Sequence, residues 1–429
     1  MNRVTITIDN SYSKINGLTS TQFKKLKKVL SYITDPQIAY FNGGFQRRKY
    51  LIDAKGSFPT GLLAKVRKFA PEAHINDNRN IPIRHIKFDK ADIFHPVPHE
   101  WQLDAIEKAL KSGRGGIVAP TGTGKSLVIA LLALRLGLKV LCVVPTIEIK
   151  NQLKEALNTF KVNNVTVENI DSKNLYRESN YDCLIIDECH HVAARTYQNL
   201  NKKYWKKIYY RYFLTATWGR NNNNENLLFE GIAGEVIYKL SYKEAVKKNY
   251  IVPVEAYYIE LPKKDTEAFT WAQVYKELVV ENEYRNEIIL DLFNSLDKAQ
   301  ISTLCLVKEV KHGHNLKGYY FANGQDENSR KFIKDFNKRH INILIGTTGI
   351  LGEGVDTKPC EYVIIAGLGK AKSAFLQQIG RGVRVYPNKE SCKVIIFKDA
   401  SHKFTLRHYK EQCKILKEEL GIVPMKLDI

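Results

Sequence analysis

The stretch Ala119-Pro120-Thr121-Gly122-Thr123-Gly124-Lys125-Ser126 governs the interpretation of the whole chain. Its glycines allow consecutive backbone N–H groups to turn inward around a β-phosphate, and the Lys125 ammonium can reach the β and γ oxygens. The Ser126 hydroxyl is suited to coordinate Mg²⁺. The stretch predicts a nucleotide-binding loop, and the residues expected to bind the nucleotide are Thr121, Gly122, Thr123, Gly124, Lys125 and Ser126.

The segments on either side of this loop support that prediction. Residues 115–119 are small and apolar and predict a buried strand, whereas residues 127–136 predict a helix. The positive amino terminus of such a helix would face the phosphates. A chance glycine turn ahead of a helix is the alternative, and the order of strand, loop and helix disfavours it.

The overall charge indicates a polyanionic partner. The 429 residues include 66 Lys and Arg against 45 Asp and Glu, which gives a formal net charge of +21 and a pI near 9.4. Nucleic acid is the first candidate, because its phosphates match a basic surface. The alternative is that the lysines only keep the protein soluble.

Cysteine usage and hydropathy argue against several classes of protein. The seven cysteines include no Cys-x-x-Cys pair, which disfavours a disulfide framework, a zinc knuckle and an iron–sulfur cluster. No apolar run approaches the roughly 18 residues of a membrane span. Residues 1–9 alternate as a strand does and do not resemble a signal peptide. We therefore expect a cytoplasmic protein that does not interact with a membrane.

Length and composition predict three domains, 1–95, 96–245 and 246–429. Residues 1–95 carry 17 Lys and Arg against 7 Asp and Glu and predict a small basic α+β domain. From Trp101 onward, strand and helix patterns alternate, which predicts an α/β fold with two parallel-sheet domains in tandem.

In the basic domain we expect a helix near 20–32 and strands near 42–44 and 47–52. Strands of the two parallel sheets are expected at 115–119, 140–144, 183–186 and 212–214, then at 301–307, 341–345, 362–366 and 392–397.

Two acids follow the strand predicted at 183–186. Asp187 and Glu188 would lie at the carboxyl end of a parallel strand, where open α/β sheets bind ligands. Hydrolysis of a γ-phosphate needs charge neutralisation and a positioned water. We therefore expect Asp187 to hold Mg²⁺ and Glu188 to polarise the attacking water. Taken alone, the pair could equally be acids at a helix N-terminus.

Together these motifs resemble those of the superfamily 2 helicases, ATP-driven motors with two RecA-like domains. The loop resembles family motif I, Asp187-Glu188-Cys189-His190 resembles motif II, and Thr215-Ala216-Thr217 resembles motif III. The resemblance implies ATP as the nucleotide and Mg²⁺ as its metal. It also implies that His190, Thr215 and Thr217 couple the nucleotide state to the grip on nucleic acid, and that Gln102 reads adenine.

Motifs similar to those of the second helicase domain follow. Gly346-Thr347-Thr348 with Gly352-Glu353-Gly354-Val355-Asp356 resembles motif V, which implies nucleotide contacts for Gly354 and Asp356. Residues 377–384 resemble motif VI. Helical spacing would place Gln377, Arg381 and Arg384 on one helix face, where two arginines can stabilise charge on the transferring phosphoryl group. A solvated basic helix face is the alternative.

The resemblance also implies where nucleic acid is held. Pro145 and Thr146, in a segment similar to motif Ia, would act with Thr347 and Thr348 to hold the backbone phosphates of one strand. Hydroxyl groups and helix N-termini make such contacts without reading the bases. Binding is therefore expected to be sequence-tolerant and weakened by salt.

Other segments narrow the resemblance to phage helicases that remodel branched DNA. Asn249-Tyr250-Ile251-Val252-Pro253 and Glu283-Tyr284-Arg285-Asn286 resemble that group. The resemblance implies an ATP-dependent helicase, expected to be monomeric, that acts on DNA forks and Holliday junctions in the host cytoplasm. Two alternatives stay open: a double-stranded DNA translocase subunit of a restriction or repair complex, and a non-catalytic DNA-binding module.

Two local features have other interpretations. Trp218 stands where many members of the superfamily have proline, and the sequence assigns it no role. His312-Gly313-His314 could suggest a metal site, but a polar turn is the favoured interpretation.

Overall fold

The computed structural model describes residues 3–33, 48–84, 97–177, 180–219, 226–352, 357–367, 369 and 371–428. The predicted sites at Gly354 and Asp356 and the strand predicted at 42–44 lie outside these residues. The chain divides into two compact units. The first comprises Met1–Ala119 with Gly124–Lys239, and the second comprises Pro120–Thr123 with Leu240–Ile429.

The first unit begins with a small mixed sheet. Its strands pair in the order β5-β2-β1-β6, with β1 and β6 parallel and the other neighbours antiparallel, while β3 and β4 form a separate antiparallel pair. The elements are β1 (Thr5–Ile8), β2 (Tyr12–Asn16), α1 (Ser20–Val29), β3 (Ser31–Ile33), β4 (Arg48–Tyr50), β5 (Ser57–Pro59), a 3-10 turn (Thr60–Leu62), α2 (Leu63–Phe69) and β6 (His74–Asp77).

The helix predicted near 20–32 is shorter than expected. A capping box between Thr19 and Gln22 starts α1, as its sequence favours. The helix ends at Val29 because Ser31–Ile33 pair with Arg48–Tyr50 instead. Strand pairing with a distant segment therefore decides the end of this helix.

A fully parallel sheet completes the first unit. Its strand order is β12-β7-β11-β10-β8-β9, with helices as the crossover connections. The strands are β7 (Arg114–Val118), β8 (Val140–Val144), β9 (Val165–Asn169), β10 (Cys183–Ile186), β11 (Tyr210–Thr215) and β12 (Val236–Lys239). The helices are α3 (Glu100–Ser112), α4 (Lys125–Leu136), α5 (Ile147–Thr159), α6 (Arg195–Lys203) and α7 (Asn226–Ala233), with 3-10 turns at Lys173–Tyr176 and Cys189–His191.

The second unit contains another parallel sheet, with strand order β15-β16-β14-β17-β18-β13-β19. The strands are β13 (Val254–Glu260), β14 (Thr303–Val307), β15 (Tyr320–Ala322), β16 (Ile343–Thr347), β17 (Tyr362–Ile365), β18 (Cys392–Lys398) and β19 (Met425–Lys426). The helices are α8 (Tyr242–Lys247), α9 (Trp271–Tyr275), α10 (Glu283–Lys298), α11 (Val310–Asn315), α12 (Ser329–Asn337), α13 (Thr348–Gly352), α14 (Lys372–Ile379) and α15 (Lys403–Ile415), with π-helical turns at Lys276–Val280 and Leu416–Leu420.

These two parallel sheets confirm the predicted fold class of two RecA-like α/β domains preceded by a small α+β region. In the described part of the chain, no helix is both long and apolar enough to span a membrane.

The turn predicted at His312-Gly313-His314 is wrong, because these residues lie in α11. His312 is fully buried, with its Nε2 atom 3.1 Å from Asn286 Oδ1. Burial, followed by the nearby Arg285 charge, lowers the pKa of His312 to about 3. His312 is a buried packing residue, because tertiary contacts cover a segment that reads as polar in sequence.

The turn between β1 and β2 docks the small sheet on the parallel sheet of the same unit. Arg114, which begins β7, donates from Nη2 to the backbone oxygen of Asn10 at 2.8 Å. Arg211 in β11 is fully buried and donates from Nη2 to Ser11 Oγ at 2.9 Å. Burial lowers the pKa of Arg114 to about 9 and holds the pKa of Arg211 well below its usual range. Buried guanidinium groups need hydrogen-bond acceptors, and this turn supplies two of them.

A second contact joins the same two sheets. A Cβ atom at Gly61 would lie 2.1 Å from the carbonyl oxygen of Glu230 in α7, so only glycine allows this approach. Beside it, Lys65 Nζ lies 3.0 Å from Glu230 Oε2. The small sheet and the first parallel sheet are therefore packed into one unit.

We expect Ser11→Ala to lower the free energy of unfolding of the first unit by about 1–3 kcal/mol, because a buried guanidinium loses an acceptor. Chemical denaturation followed by tryptophan fluorescence measures this loss. Ser31→Ala is the matched control, since Ser31 Oγ accepts from Arg48 Nη1 at 2.9 Å at the surface. Water can replace that acceptor, so we expect a loss below about 0.5 kcal/mol. Equal losses in the two variants would contradict the docking role of Ser11.

Candidate active site

The predicted phosphate loop connects β7 to α4. Gly122 and Gly124 both have a φ of +88°, which side chains rarely tolerate, so glycine is required at each position. Thr123 is buried, and its Oγ1 atom donates to the backbone oxygen of Pro120 at 2.8 Å. Thr121 is partly exposed. The loop thus has the tight, glycine-dependent backbone that its sequence predicts.

Lys125 is the first residue of α4, and Ser126 is the second. Lys125 Nζ donates to the carbonyl oxygen of Ala119 at 3.2 Å, which holds the ammonium over the backbone of the loop. Both side chains are partly exposed. A cation, a hydroxyl and the positive end of a twelve-residue helix therefore meet where the loop ends.

Gln102 lies against the same loop. Its Oε1 atom accepts from the backbone N–H of His99 at 2.8 Å, and its Nε2 atom donates to the carbonyl oxygen of Gly124 at 3.0 Å. The side chain is almost fully buried at the start of α3. Gln102 therefore bridges the amino terminus of α3 to the residue that immediately precedes α4.

The two predicted acids follow β10, as expected. Asp187 is 9% exposed, and its Oδ1 atom accepts from the backbone N–H of Glu188 at 3.0 Å. Burial raises the pKa of the neighbouring Cys189 thiol, and the charges of Glu188 and Asp187 raise it further. The two carboxylates thus form a negatively charged cluster at the carboxyl end of β10.

The backbone at Glu188 is unusual. Its φ of 47° lies in the left-handed region, which non-glycine residues occupy rarely and at a cost of about 1–3 kcal/mol. The Glu188 Oε2 atom lies 3.4 Å from His190 Nδ1, and both side chains are largely buried. The carboxylate of this left-handed residue therefore lies beside an imidazole at the end of β10.

Thr215 and Thr217 lie between the loop and the acids, because β11 pairs with both β7 and β10. Thr215 Oγ1 donates to the backbone oxygen of Thr217 at 3.0 Å, and Thr217 N–H lies 3.1 Å from the same hydroxyl. The N–H of Ala119 donates to the carbonyl oxygen of Thr215 at 3.0 Å. The predicted coupling segment is therefore bonded directly to the start of the phosphate loop.

Thr146 follows β8 at the same edge of the sheet. It is the N-cap of α5, and its hydroxyl accepts from the N–H of Ile149 at 3.3 Å. Pro145 precedes it and is partly exposed. In the second unit, Thr347 ends β16 and is buried, while Thr348 begins α13. The four residues predicted to hold backbone phosphates thus lie at carboxyl ends of strands.

The prediction that Gln377, Arg381 and Arg384 of motif VI share one helix face is wrong. Helix α14 ends two residues after Gln377, so Arg381 and Arg384 lie beyond it in a turn. Gly382 packs where a Cβ atom would lie 2.1 Å from Cys392 Sγ in β18. This close packing against the sheet takes the chain off the helical path. Gln377 and Arg381 are nevertheless both buried, at 8% and 3% exposure.

Trp218, which has no role assigned from sequence, is a packing residue. Its ring lies edge-on to Phe229 with centroids 4.7 Å apart. A Cβ atom at Gly116 would lie 1.9 Å from the indole, so the ring covers a glycine of β7. A glycine within a strand pattern, which often marks a close approach, was the sequence signal for this contact.

Two family descriptions match the chain. "Type III restriction enzyme, res subunit" matches residues 95–180 and 161–220, and "Helicase conserved C-terminal domain" matches residues 272–386. Together they span more than half of the chain and include the loop, the acids and both arginines. The chain belongs to the superfamily 2 helicases. It is accordingly an ATP-hydrolysing helicase.

The helicase resembles known proteins over most of its length. It is 22% identical to "ATP-dependent DNA helicase uvsW" of Enterobacteria phage T4, over 89% of this chain and 87% of the relative. It is 24% identical to "DNA 3'-5' translocase XPB2" of Sulfurisphaera tokodaii, over 74% of this chain and 85% of the relative. A fragment structure described as an HsdR subunit of a type I restriction enzyme from Vibrio vulnificus YJ016 has a TM-score of 0.60 at 16% identity, over 99% of this chain and 85% of that chain. That structure supports the fold alone.

Proposed function

We propose that this helicase hydrolyses ATP to move along DNA and to unwind or remodel branched DNA, such as forks and four-way junctions. The observation that carries the proposal is the similarity to the phage T4 DNA helicase over 89% of this chain. The net charge of +21 supports a nucleic-acid partner. The similarity to a phage protein also supports the proposal that this helicase acts in the cytoplasm of a bacterial host.

We propose a catalytic role for each charged group of the motifs. Lys125 binds the β and γ phosphates of ATP. Glu188, which is 3.4 Å from His190, accepts a proton from the water that attacks the γ-phosphorus as the bond to ADP breaks. Arg381 and Arg384 stabilise the charge on the transferring phosphoryl group. Because one chain carries the loop and both arginines, we propose that the helicase acts as a monomer.

Mg²⁺ fits the oxygen donors of the first unit. Ser126 offers a hydroxyl beside the loop and Asp187 offers a largely buried carboxylate, and such hard oxygen ligands suit this cation. When bound, the ion would neutralise charge on the β and γ phosphate oxygens. Thr215 and Thr217 would transmit the nucleotide state, since Thr215 is bonded to the first residue of the loop. From the resemblance of the motifs, we also propose nucleotide contacts for Gln102, Gly354, Asp356 and Gln377.

A basic surface on α1 supports a DNA-binding role for the amino-terminal region. Residues 10–34 contain no Asp or Glu, and Lys24, Lys25 and Lys28 are exposed on α1. Lys27 Nζ lies 4.6 Å from the centroid of the exposed Tyr50 ring. Lysines with an adjacent aromatic ring suit the phosphates and bases of nucleic acid. We propose that this surface holds duplex or junction DNA, while Pro145, Thr146, Thr347 and Thr348 hold one strand.

Translocation on duplex DNA without strand separation is the second candidate function. The relative named as a DNA translocase favours it. A comparison of forks, four-way junctions, tailed DNA duplexes and RNA duplexes in ATP-driven unwinding separates the candidates. We expect forks and junctions to be processed fastest. DNA-stimulated ATP hydrolysis without any unwinding would instead support the translocase, and unwinding of RNA alone would contradict both.

We expect Lys125→Ala and Glu188→Gln each to reduce the DNA-stimulated kcat for ATP hydrolysis at least about a hundredfold, because one removes a phosphate-binding charge and the other the proton acceptor. Steady-state phosphate release measures the change. Glu188→Gln should still bind ATP, whereas Lys125→Ala should bind it weakly. Undiminished ATP hydrolysis by Lys125→Ala would reject the assignment of residues 119–126 as the phosphate-binding loop.

We expect the combined variant Lys24→Gln, Lys25→Gln and Lys28→Gln to bind DNA more weakly and to lower the salt slope of binding by about 3, roughly one for each lost phosphate contact. Fluorescence anisotropy on a four-way junction across salt concentrations measures both. The control carries the same charge change on exposed lysines of the second unit, Lys410, Lys414 and Lys417. Point substitutions are preferable to a truncation, because removing residues 1–95 would also remove one acceptor each from Arg114 and Arg211. Equal salt slopes for the two variants would contradict the role of α1.

A further inference from the structure

The two arginines of motif VI lie in a loop whose backbone carbonyl groups accept hydrogen bonds from residues outside the loop. Residues 380–384 follow the end of α14. Within a helix, each backbone carbonyl accepts a hydrogen bond from the N–H four residues later. In this loop the carbonyl groups of Arg381 and Val383 accept instead from the distant residues Thr357 and Val252, and the carbonyl of Arg384 accepts from the side chain of Lys389, five residues later.

Thr357 holds the first arginine. Its hydroxyl donates to the carbonyl oxygen of Arg381 at 3.1 Å, and the residue is fully buried. Thr357 comes directly after the motif V segment in the sequence. The bond therefore ties the residue that follows motif V in sequence to the backbone of motif VI inside one unit.

Lys389 holds the second arginine. Its Nζ atom donates to the carbonyl oxygens of Arg384 at 3.0 Å and Lys358 at 3.4 Å, and the residue is only 8% exposed. Between the two arginines, the N–H of Val252 donates to the carbonyl oxygen of Val383 at 2.9 Å. Burying an ammonium is costly unless it is hydrogen-bonded, and both acceptors are backbone groups next to motifs V and VI.

We propose that Thr357 and Lys389 are positioning residues that hold Arg381 and Arg384 for phosphoryl transfer. The inference rests on the proposed function, in which these arginines stabilise the transferring phosphoryl group. Such stabilisation needs donors that are in place before charge develops. A displacement of about 1 Å can cost roughly a hundredfold in rate.

Thr357→Val removes the hydroxyl and keeps a side chain of similar shape. We expect kcat for ATP hydrolysis to fall about tenfold while KM for ATP changes less than about twofold, and Thr357→Ser to restore kcat. Thr303→Val is the matched control, because Thr303 is also fully buried in the second unit and donates to the carbonyl oxygen of Ile301 at 3.1 Å. We expect the control to lose similar thermal stability and to keep its kcat.

Nucleotide binding gives a second readout that does not depend on turnover. ADP with aluminium fluoride imitates the transferring phosphoryl group, whereas ADP alone does not. By calorimetry, we expect Thr357→Val and Lys389→Met to weaken binding of the aluminium fluoride complex about tenfold and to leave ADP binding unchanged. If Lys389→Met does not fold, Thr357→Val alone carries this measurement.

Two results would overturn the inference. One is a Thr357→Val kcat that matches the Thr303→Val control, and the other is an equal loss of affinity for ADP and for its aluminium fluoride complex. Arg381→Ala separates this inference from the proposed function. An unchanged kcat in Arg381→Ala would reject the proposed role of the arginine itself. A reduced kcat there, with none in Thr357→Val, would reject only the positioning role.

Discussion

Parallel pairing around β11 is the interaction on which the rest of the first unit depends. Backbone bonds align β7 on one side of β11 and β10 on the other. Parallel strands need crossover connections, which bring every strand back in the same direction. As a result, Lys125, Thr215 and Asp187 follow the same edge of the sheet although they are far apart in the chain. The bond from Ala119 N–H to the carbonyl oxygen of Thr215 closes this arrangement at the start of the phosphate loop.

The opposite ends of the same strands join the sheet to the amino-terminal region. Arg114 and Arg211 lie on β7 and β11, and both use acceptors in the turn between β1 and β2. Three further N–H groups of Arg211 donate to Asn201 Oδ1 and to the backbone oxygens of Trp205 and Ile208. The basic surface on α1 therefore belongs to the same unit as Lys125, Ser126 and Asp187. The basic amino-terminal region thus shares hydrogen bonds and one compact unit with the first parallel sheet.

Features that depend on local chemistry could be predicted from the sequence. A glycine-rich loop between an apolar strand and a helix has few conformations open to it, and the left-handed φ of Gly122 and Gly124 is the one that phosphate binding needs. The position of Asp187 at the carboxyl end of a strand could likewise be predicted, because a short apolar strand directly precedes it in the sequence. Features that depend on distant contacts could not be predicted. Just beyond the end of α14, Gly382 packs against Cys392 of β18, and His312 is buried beside Asn286.

The sequence by itself determined the residues on which the proposed chemistry of this helicase depends: a glycine-rich loop proposed for phosphates, acids proposed for metal and water, arginines proposed for the transition state, and an excess of positive charge. Only the tertiary structure decided how those groups are held. Ser11 satisfies Arg211 from 200 residues away, and Thr357 and Lys389 secure the backbone of Arg381 and Arg384. The physical reason is that a buried polar group must find a partner through space. For Ser11 and Thr357 no short spacing along the chain encodes that partner, so it is settled only when the sheets pack.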